Sequence, residues 1–293
     1  MKRREFIQTT GGVLLAAGTL TGTASAGEAI PQGKFNISIA AWSWHRLFGE
    51  GKIKQIDMPR LAHEAGAAGL ELVNSFFPSP QHDYLMELKK TAEGEGIKIL
   101  LIMCDGEGSM YSPGHHERHW AVVNHHKWLD IAAQLGCHSI RCNAGEGNVD
   151  PGEAMKCAAD SFAELAGYAR QYGLNVTIEN HWGLSSNPQW LTGLMKMVDM
   201  DNFGTLPDFG NFPDDVDRYA AVEAMMPYAK AVSAKTYDFD EQGLETKIDY
   251  PRMMRIVLDA GYHGFLGVEY EGDRLSELDG IKASVALLKK FQA

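Results

Sequence analysis

The sequence predicts a single (β/α)8 barrel, a TIM barrel of the α/β class, over residues 35–293. Three observations predict this fold. Apolar runs of strand length alternate eight times with amphipathic helical stretches, which is typical of parallel sheets. Several of these runs are almost continuously apolar, as strands covered on both faces are. Charged residues follow the later runs, and the carboxyl ends of barrel strands are where such side chains meet.

An open, doubly wound sheet is the alternative to a closed barrel. It is disfavoured because no GxGxxG follows the first predicted strand. Gly106 and Gly108 come after the third strand instead, and the third glycine of the motif is missing. Eight units also favour closure, and a chain of 293 residues suits one such domain.

The strands are predicted from apolar runs rich in β-branched residues. The first run leads to His45, and the fifth ends on Glu179 and His181. The eight predicted strands cover residues 35–44, 70–76, 97–104, 139–143, 176–181, 204–208, 231–237 and 265–269.

The helices are predicted from apolar residues that recur every three to four positions. Gly136 and Gly173 mark two helix ends, as glycine commonly does. A longer Gly-containing loop, 105–116, follows the third strand. The eight predicted helices cover residues 56–69, 84–94, 117–135, 154–172, 188–198, 216–228, 250–260 and 278–291.

Residues 1–26 are predicted to be a signal peptide and residues 27–34 a short tether. Arg3 and Arg4 precede a mild apolar run, and 24–26 form a small-residue cleavage site. The paired arginines resemble a twin-arginine export signal, which implies a periplasmic or extracellular protein. The apolar run is too short to span a bilayer, so no stable membrane anchor is expected. The alternative is an uncleaved basic arm.

The composition is that of a soluble globular protein, with 45% hydrophobic and 22% charged residues. The formal net charge is -11, and no basic stripe is present. Such a chain repels phosphate backbones, so nucleic acid is not an expected partner.

The chain has four cysteines and no metal-type CxxC spacing. Cys137 and Cys142 lie on or beside one predicted strand, about 16 Å apart at strand rise. That separation is too large for a disulfide between them. Small buried fillers are expected, although an exported protein would permit one long-range disulfide.

Four polar residues stand at the ends of the last four predicted strands: Glu179, Asp208, Lys235 and Glu269. A charged residue at the end of an apolar strand is costly to bury without a partner or a task. In a closed parallel barrel the strand ends meet at one mouth, so we expect these four side chains to converge.

The segments around these residues resemble the xylose isomerase-like TIM barrels, the sugar isomerase and epimerase family. The resemblance implies a divalent metal ion, Mn, Mg or Co, held by Glu179, Asp208 and Glu269. Oxygen ligands of this kind suit hard cations. The segments that carry the resemblance are 176–183, 205–211, 233–238 and 268–272.

Two positions depart from the family's pattern. Ser233 stands where the strand-seven His of the family would fall, and Asn211 where a His often follows the strand-six Asp. A serine is a poor ligand, so three carboxylates would hold the ion with one side open, or His181 would fill in. Alternatively, Lys235 supplies the missing charge, and the site works with weak metal or none.

The resemblance implies that Glu179 and Glu269 exchange a proton on opposite sides of a bound sugar. Moving a proton next to a carbonyl needs a base and an electrophile at the developing enolate oxygen. The metal ion or Lys235 would be that electrophile. The residues expected to bind the hydroxyls of a carbohydrate are His45, Glu71, Arg141, Asn143, His181, Asn211 and Tyr237.

Several of these residues also have a purely structural interpretation. Arg141 would neutralise Glu71 or Glu179 inside the barrel. Three strand-end tryptophans could either stack on a sugar or belong to the core: Trp42, Trp44 and Trp182. Five histidines are interpreted as part of a polar loop and an exposed helix face: His115, His116, His119, His125 and His126.

The leading hypothesis is an exported sugar isomerase or epimerase that works by metal-assisted enolisation. The alternative is a lyase or hydrolase acting on 3-keto-glycosides, where the same enolate expels the substituent. An AP endonuclease shares the barrel, but the acidic charge and the lack of its several His ligands argue against it. A non-catalytic sugar-binding barrel and a homo-oligomer are also left open.

Overall fold

The computed structural model describes residues 34–292, which form one closed parallel barrel. β1 pairs with β2 and β8, and the neighbours around the sheet run in the order β6-β5-β4-β3-β2-β1-β8-β7. The bridges Thr205–Ala229 and Asp208–Ser233 close it between β6 and β7. Strands β1 to β8 span Asn36–Ala40, Gly69–Val73, Lys98–Cys104, Ser139–Cys142, Asn175–Glu179, Phe203–Leu206, Val232–Thr236 and Phe265–Tyr270.

Helices surround the barrel, and short polar side chains fix where several of them begin. Asp150, Asn187 and Asp217 each accept two backbone N–H groups at a helix start, where those donors have no partner within the helix. Helices α1 to α9 span His45–Gly49, Met58–Ala65, His82–Gly94, His115–Leu135, Pro151–Arg170, Pro188–Val198, Arg218–Met225, Tyr250–Asp259 and Glu277–Lys289.

The strands alternate between apolar residues that face the helices and polar residues that face the barrel interior. In β5, Val176 and Ile178 are fully buried in the hydrophobic core, while Thr177 and Glu179 alternate with them. The same alternation places the polar side chains of β4, β7 and β8 inside the barrel. Because buried polar groups must find partners, this interior is a hydrogen-bonded network rather than an apolar plug.

The predicted barrel is confirmed, with differences at the ends of elements. β1 stops at Ala40, and a 3-10 helix, Ala41–Trp44, takes the predicted end of that strand. β5 stops at Glu179, so His181 follows the strand and is exposed. A bridge between Phe239 and Glu245, in the loop after β7, was not predicted.

The predicted signal peptide 1–26, and the tether 27–34 apart from Lys34, lie outside the described residues. Within the described part of the chain, no helix is both long and apolar enough to cross a membrane. The four cysteines are free, and Cys104, Cys137 and Cys142 are buried, in line with their predicted role as fillers.

Candidate active site

Three carboxylates converge at the mouth of the barrel. Glu179 ends β5, Asp208 follows β6, and Glu269 lies near the end of β8. Each offers one oxygen, and these oxygens lie within 4.8 Å of one another. The three residues are 1%, 0% and 4% exposed, respectively. The predicted convergence is therefore present, and an oxygen set of this kind is able to bind a hard cation.

Asp208 is held rigidly although it lies beyond the end of its strand. Its Oδ1 accepts the backbone N–H groups of Gly210 and Asn211, both at 2.7 Å. Asn180 brackets its backbone, accepting from Asp208 N at 2.7 Å and donating to Asp208 O at 3.0 Å. These contacts leave Oδ2 as the oxygen that faces the other two carboxylates.

Ser233 bridges two of the carboxylates. Its Oγ lies 2.7 Å from Asp208 Oδ2 and 2.8 Å from Glu269 Oε2. A hydroxyl has one proton to donate, so both contacts are hydrogen bonds only when a carboxyl carries a second proton. Burial raises the pKa of Asp208 to about 6 despite the opposing effect of Lys235. While both carboxyls are ionised, Ser233 therefore donates to one of them at a time.

Lys235 lies among carboxylates. Its Nζ is 3.1 Å from Glu271 Oε2, 3.3 Å from Glu269 Oε1 and 3.7 Å from Asp208 Oδ2. Burial alone would lower the pKa of Lys235, but the surrounding carboxylates raise it well above its ordinary value. The side chain is 2% exposed and therefore lies in the site as a buried ammonium ion.

Arg141 supplies a second buried cation. Its Nη1 donates to Asp105 Oδ1 at 2.6 Å, and its Nε lies 2.8 Å from Glu179 Oε2. The latter is an ion pair in which the N–H does not point at the oxygen, so neither atom gains a hydrogen bond from it. Asn143 donates to the same Asp105 oxygen at 2.8 Å. Arg141 thus pairs with Glu179, one of the two partners expected from the sequence.

Glu179 and Glu269 have opposite shifts in pKa. Burial raises the pKa of Glu179 well above its ordinary value, although Arg141 opposes the shift. Burial also acts on Glu269, but Lys235 outweighs it, with help from Ser233, and the pKa of Glu269 is lowered. Asn211 donates to Glu179 Oε1 at 3.1 Å and fixes its orientation. One carboxyl therefore tends to keep its proton while the other tends to lose it.

Glu71 lies deeper in the barrel and not with the triad. Its Oε1 accepts from Ser38 at 2.6 Å, and its Oε2 has no hydrogen-bond partner. Its carboxyl packs directly against Gly267, where any Cβ would clash with it. Burial raises the pKa of Glu71 to about 7. This predicted substrate-binding residue is an internal carboxyl beneath the site.

The other predicted substrate-binding residues lie around the mouth. His45 stacks on Trp42 with ring centroids 4.9 Å apart, and its Nδ1 contacts the carbonyl oxygen of Trp42, so it belongs to the rim. His181 is exposed. The Tyr237 hydroxyl reaches Gly210, and burial raises the pKa of Tyr237 to about 12.

The tryptophans divide between the two roles considered for them. Trp44 is 1% exposed and belongs to the core. Trp42 donates its Nε1 to Glu271 Oε1 at 2.7 Å, which fixes the carboxylate beside Lys235. Trp182 is 57% exposed, with φ 64° and ψ 172°, a conformation that side chains larger than glycine rarely adopt.

Three residues of this network were not singled out by the sequence: Asp105, Glu271 and Asn180. Asp105 directly follows β3, so the signal that identified Glu179, a polar residue at a strand end, would also have identified Asp105. The predicted exposed histidine face is only partly correct. His125 is buried, with its Nδ1 2.7 Å from Ala121 O, because it lies on the face of α4 that also buries Ala121 and Trp128.

The chain resembles known proteins over most of its length. Residues 59–291 match the family described as the xylose isomerase-like TIM barrel. The solved structure of a 3-keto-D-glucoside 4-epimerase from E. coli has a TM-score of 0.71 at 14% identity, covering 87% of this chain and 99% of that chain. A xylose isomerase-like TIM barrel protein from Mycobacterium smegmatis, in complex with magnesium, has a TM-score of 0.63 at 18% identity, covering 88% and 98%.

A curated relative matches a shorter stretch. The alpha subunit of a C-glycoside deglycosidase from Arthrobacter globiformis is 41% identical over 66 residues. The match covers 22% of this chain and 18% of the relative. It therefore relates one segment of the two chains and not their whole lengths.

Proposed function

The chain belongs to the xylose isomerase-like TIM barrel family, and we propose that it moves a proton next to a carbonyl group of a carbohydrate. The observation that carries this proposal is the opposite shift in the pKa values of Glu179 and Glu269 at one barrel mouth. Two titratable groups whose surroundings push their pKa values apart are suited to act as an acid and a base.

The two carboxyl groups have complementary roles in this proposal. Glu269, which is ionised, takes the proton from the carbon next to the carbonyl, and the electron pair moves toward the carbonyl oxygen. Glu179 takes up a proton more readily because its pKa is raised, and in its protonated form it returns a proton from the opposite side. A reversed turnover exchanges the roles. Return of the proton to the other face of the same carbon gives an epimer. Return to the former carbonyl carbon gives an isomer, with the proton of the adjacent hydroxyl moving to the enolate oxygen.

The enolate oxygen requires a positive partner. Lys235 and Arg141 are buried cations that contact Glu269 and Glu179, so either ammonium or guanidinium is able to stabilise charge that develops between the two carboxylates. Because both are fixed before substrate binds, they need little rearrangement as the charge forms.

The triad of Glu179, Asp208 and Glu269 also fits a divalent cation, because its three buried oxygens converge within 4.8 Å. Such an ion, when bound, would polarise the carbonyl of the substrate. Metal dependence, with Mn, Mg or Co as the candidates, is a proposal. Ser233 lies between two of these carboxylates and offers only a neutral hydroxyl.

The substrate is proposed to be a keto-sugar or a keto-glycoside. Polar groups able to bind hydroxyls surround the mouth: Asn143 and Asn211 within the network, and His181 and Tyr237 around it. The similar protein from E. coli is described as a 3-keto-D-glucoside 4-epimerase, which supports this class of substrate.

A second candidate is elimination from a 3-keto-glycoside. The same base would take the proton next to the ketone, and the electron pair would then expel the substituent from the adjacent anomeric carbon. The leaving group would take its proton from Glu179. The match to the C-glycoside deglycosidase subunit favours this outcome, although it covers a short segment.

Export through a twin-arginine signal, and association into a homo-oligomer, remain proposals. Export is supported by Arg3 and Arg4 and by the small-residue site at 24–26. Recovery of the mature protein from the periplasm or medium, with its N-terminus near residue 27, would support it. Retention of the intact chain in the cytoplasm would contradict it.

Incubation of the purified protein with 3-keto-glucosides and with ketohexoses, followed by NMR, tests the proposed function. A change of configuration or of carbonyl position supports the isomerase or epimerase. Release of the aglycone supports elimination. Glu269→Gln should slow the formation of whichever product forms by roughly 10²-fold or more. An unchanged substrate panel with and without added Mn²⁺ would contradict both candidates.

A further inference from the structure

We propose that Lys235 is a built-in cation that competes with a divalent metal ion for the carboxylates of Asp208 and Glu269. Its Nζ lies 3.7 Å from Asp208 Oδ2 and 3.3 Å from Glu269 Oε1, and both residues belong to the cation-binding triad. The inference rests on the proposed function because it concerns the same site. Its test measures binding and not turnover, so either proposal can fail alone.

A metal ion bound by the triad and the Lys235 ammonium would be close in space and alike in charge. A divalent ion bound by oxygen typically lies about 2.0–2.6 Å from each ligand atom. An ion held by Asp208 and Glu269 would therefore share the immediate surroundings of the Lys235 ammonium, which contacts the same two side chains. Two cations that close repel strongly in a buried site, where solvent screens them poorly. Binding of the ion should require the ammonium to move away.

The residues packed around Lys235 restrict the movement of its backbone and side chain. A Cβ at Gly210 would lie 2.6 Å from Lys235 Cγ, so only glycine leaves room there for the lysine stem. Tyr250 donates its hydroxyl to the backbone oxygen of Lys235 at 2.8 Å. The side chain is thus confined along its whole length, from the backbone to Nζ.

A fourth carboxylate, outside the triad, adds to this hold. Glu271 Oε2 lies 3.1 Å from Lys235 Nζ, and its Oε1 accepts from Trp42 Nε1 at 2.7 Å. This carboxylate is tied on one side to the rim and on the other to the ammonium. The three contacts of Nζ are all with carboxylates, so the ammonium has the surroundings of a bound cation.

The test is calorimetric titration of Mn²⁺ into the wild-type protein and into Lys235→Met. The variant keeps a long side chain but removes the charge, so it should bind one Mn²⁺ per chain about tenfold more tightly, or better. The double variant Lys235→Met/Asp208→Asn should lose this gain, which assigns the binding to the triad. Equal affinity of the wild-type protein and Lys235→Met would overturn the proposal.

Lys247→Met is the matched control. Lys247 lies over the Tyr237 ring, 4.9 Å from its centroid, so its removal deletes a positive charge near the mouth without touching the triad. Its Mn²⁺ affinity should equal that of the wild type. A gain as large as that of Lys235→Met would mean that general charge, and not competition for shared ligands, sets the affinity, and would overturn the proposal.

A measurement on the wild-type protein covers the case in which Lys235→Met does not fold. The ¹³Cε resonance of Lys235 should shift as diamagnetic Mg²⁺ saturates the site, because the ion displaces the ammonium from its carboxylates. Saturation of the triad without a shift of this resonance would overturn the proposal. Loss of the Mg²⁺ response in Asp208→Asn would show that the ion binds where expected.

Discussion

The Nε atom of Arg141 lies 2.8 Å from Oε2 of Glu179, where β4 and β5 open into the mouth of the barrel. The same guanidinium donates to Asp105 at 2.6 Å, so one buried cation serves two carboxylates, one after β3 and one at the end of β5, on either side of its own strand β4. Arg141 is 4% exposed and Glu179 1% exposed. The pair therefore belongs to the interior, where loss of one partner leaves the other in a medium that solvates it poorly.

Arg141→Met should destabilise the protein strongly. Removing one partner of a buried ion pair typically costs about 3–5 kcal/mol because the other charge is left uncompensated. Urea unfolding measures the loss. Arg60→Met is the control: Arg60 pairs with Glu64 at 2.6 Å on an exposed helix face, both half-exposed, and such pairs contribute about 1 kcal/mol or less. Similar losses in the two variants would contradict the assigned role of Arg141.

Glu71 should make stability depend on pH. Burial raises its pKa in the folded protein to about 7, from the ordinary value of 4.5. Between these two values the unfolded chain has lost the proton and the folded protein keeps it, so stability falls as pH rises and levels off above pH 7. A shift of this size corresponds to about 3 kcal/mol.

Glu71→Gln removes this titration while keeping the shape of the side chain. Relative to the wild type, the variant should therefore gain stability between pH 4.5 and 7. Urea unfolding of both proteins at pH 5 and pH 8 measures the change, and the difference between them cancels the other titrating groups. A difference that is the same at both pH values would contradict a buried carboxyl with a raised pKa.

Trp182 should be strained in the folded protein. Its φ of 64° and ψ of 172° lie in a region that is essentially reserved for glycine, and such strain costs about 1–3 kcal/mol. Trp182→Gly should therefore be more stable than Trp182→Ala by about 1 kcal/mol, even though glycine loses more backbone entropy on folding. Both variants remove the indole, so urea midpoints isolate the backbone term. Equal midpoints would show that this backbone is not strained.

The convergence of the triad could be predicted because two simple rules determine it. Side chains alternate along a strand, and the carboxyl ends of parallel strands meet at one mouth, so Glu179 and Glu269 had to face one another once eight units closed. Asp208 joins them because it follows β6 at the same mouth. The alternation of apolar and polar residues in β5 likewise separates the side chains that face the helices from those that face the interior.

The partners of these carboxylates could not be predicted, because they depend on register and on local turns. Lys235 meets Glu269 because β7 and β8 pair with these residues opposite each other. Ser233 meets Asp208 because the bridge between them closes the barrel. Neither pairing can be read from the sequence alone, because the register of the strands is not known from it.

Local turns account for the residues that lie elsewhere than expected. The chain leaves β1 at Ala40 and enters a 3-10 helix, which turns His45 onto the rim beside Trp42. Glu71 lies in the middle of β2 rather than at its end, so its side chain points into the barrel beneath the mouth. The position of each residue relative to the end of its strand, and not its residue type, separates His45 and Glu71 from the triad.

The most direct test of proton transfer by Glu179 and Glu269 is turnover in deuterium oxide. The wild-type protein should place deuterium on the carbon next to the carbonyl. In Glu179→Gln and in Glu269→Gln, kcat should fall roughly 10²-fold or more, the usual contribution of a general acid or base. Near-normal turnover in both variants, with no deuterium in the product, would contradict the proton-transfer function proposed for this barrel.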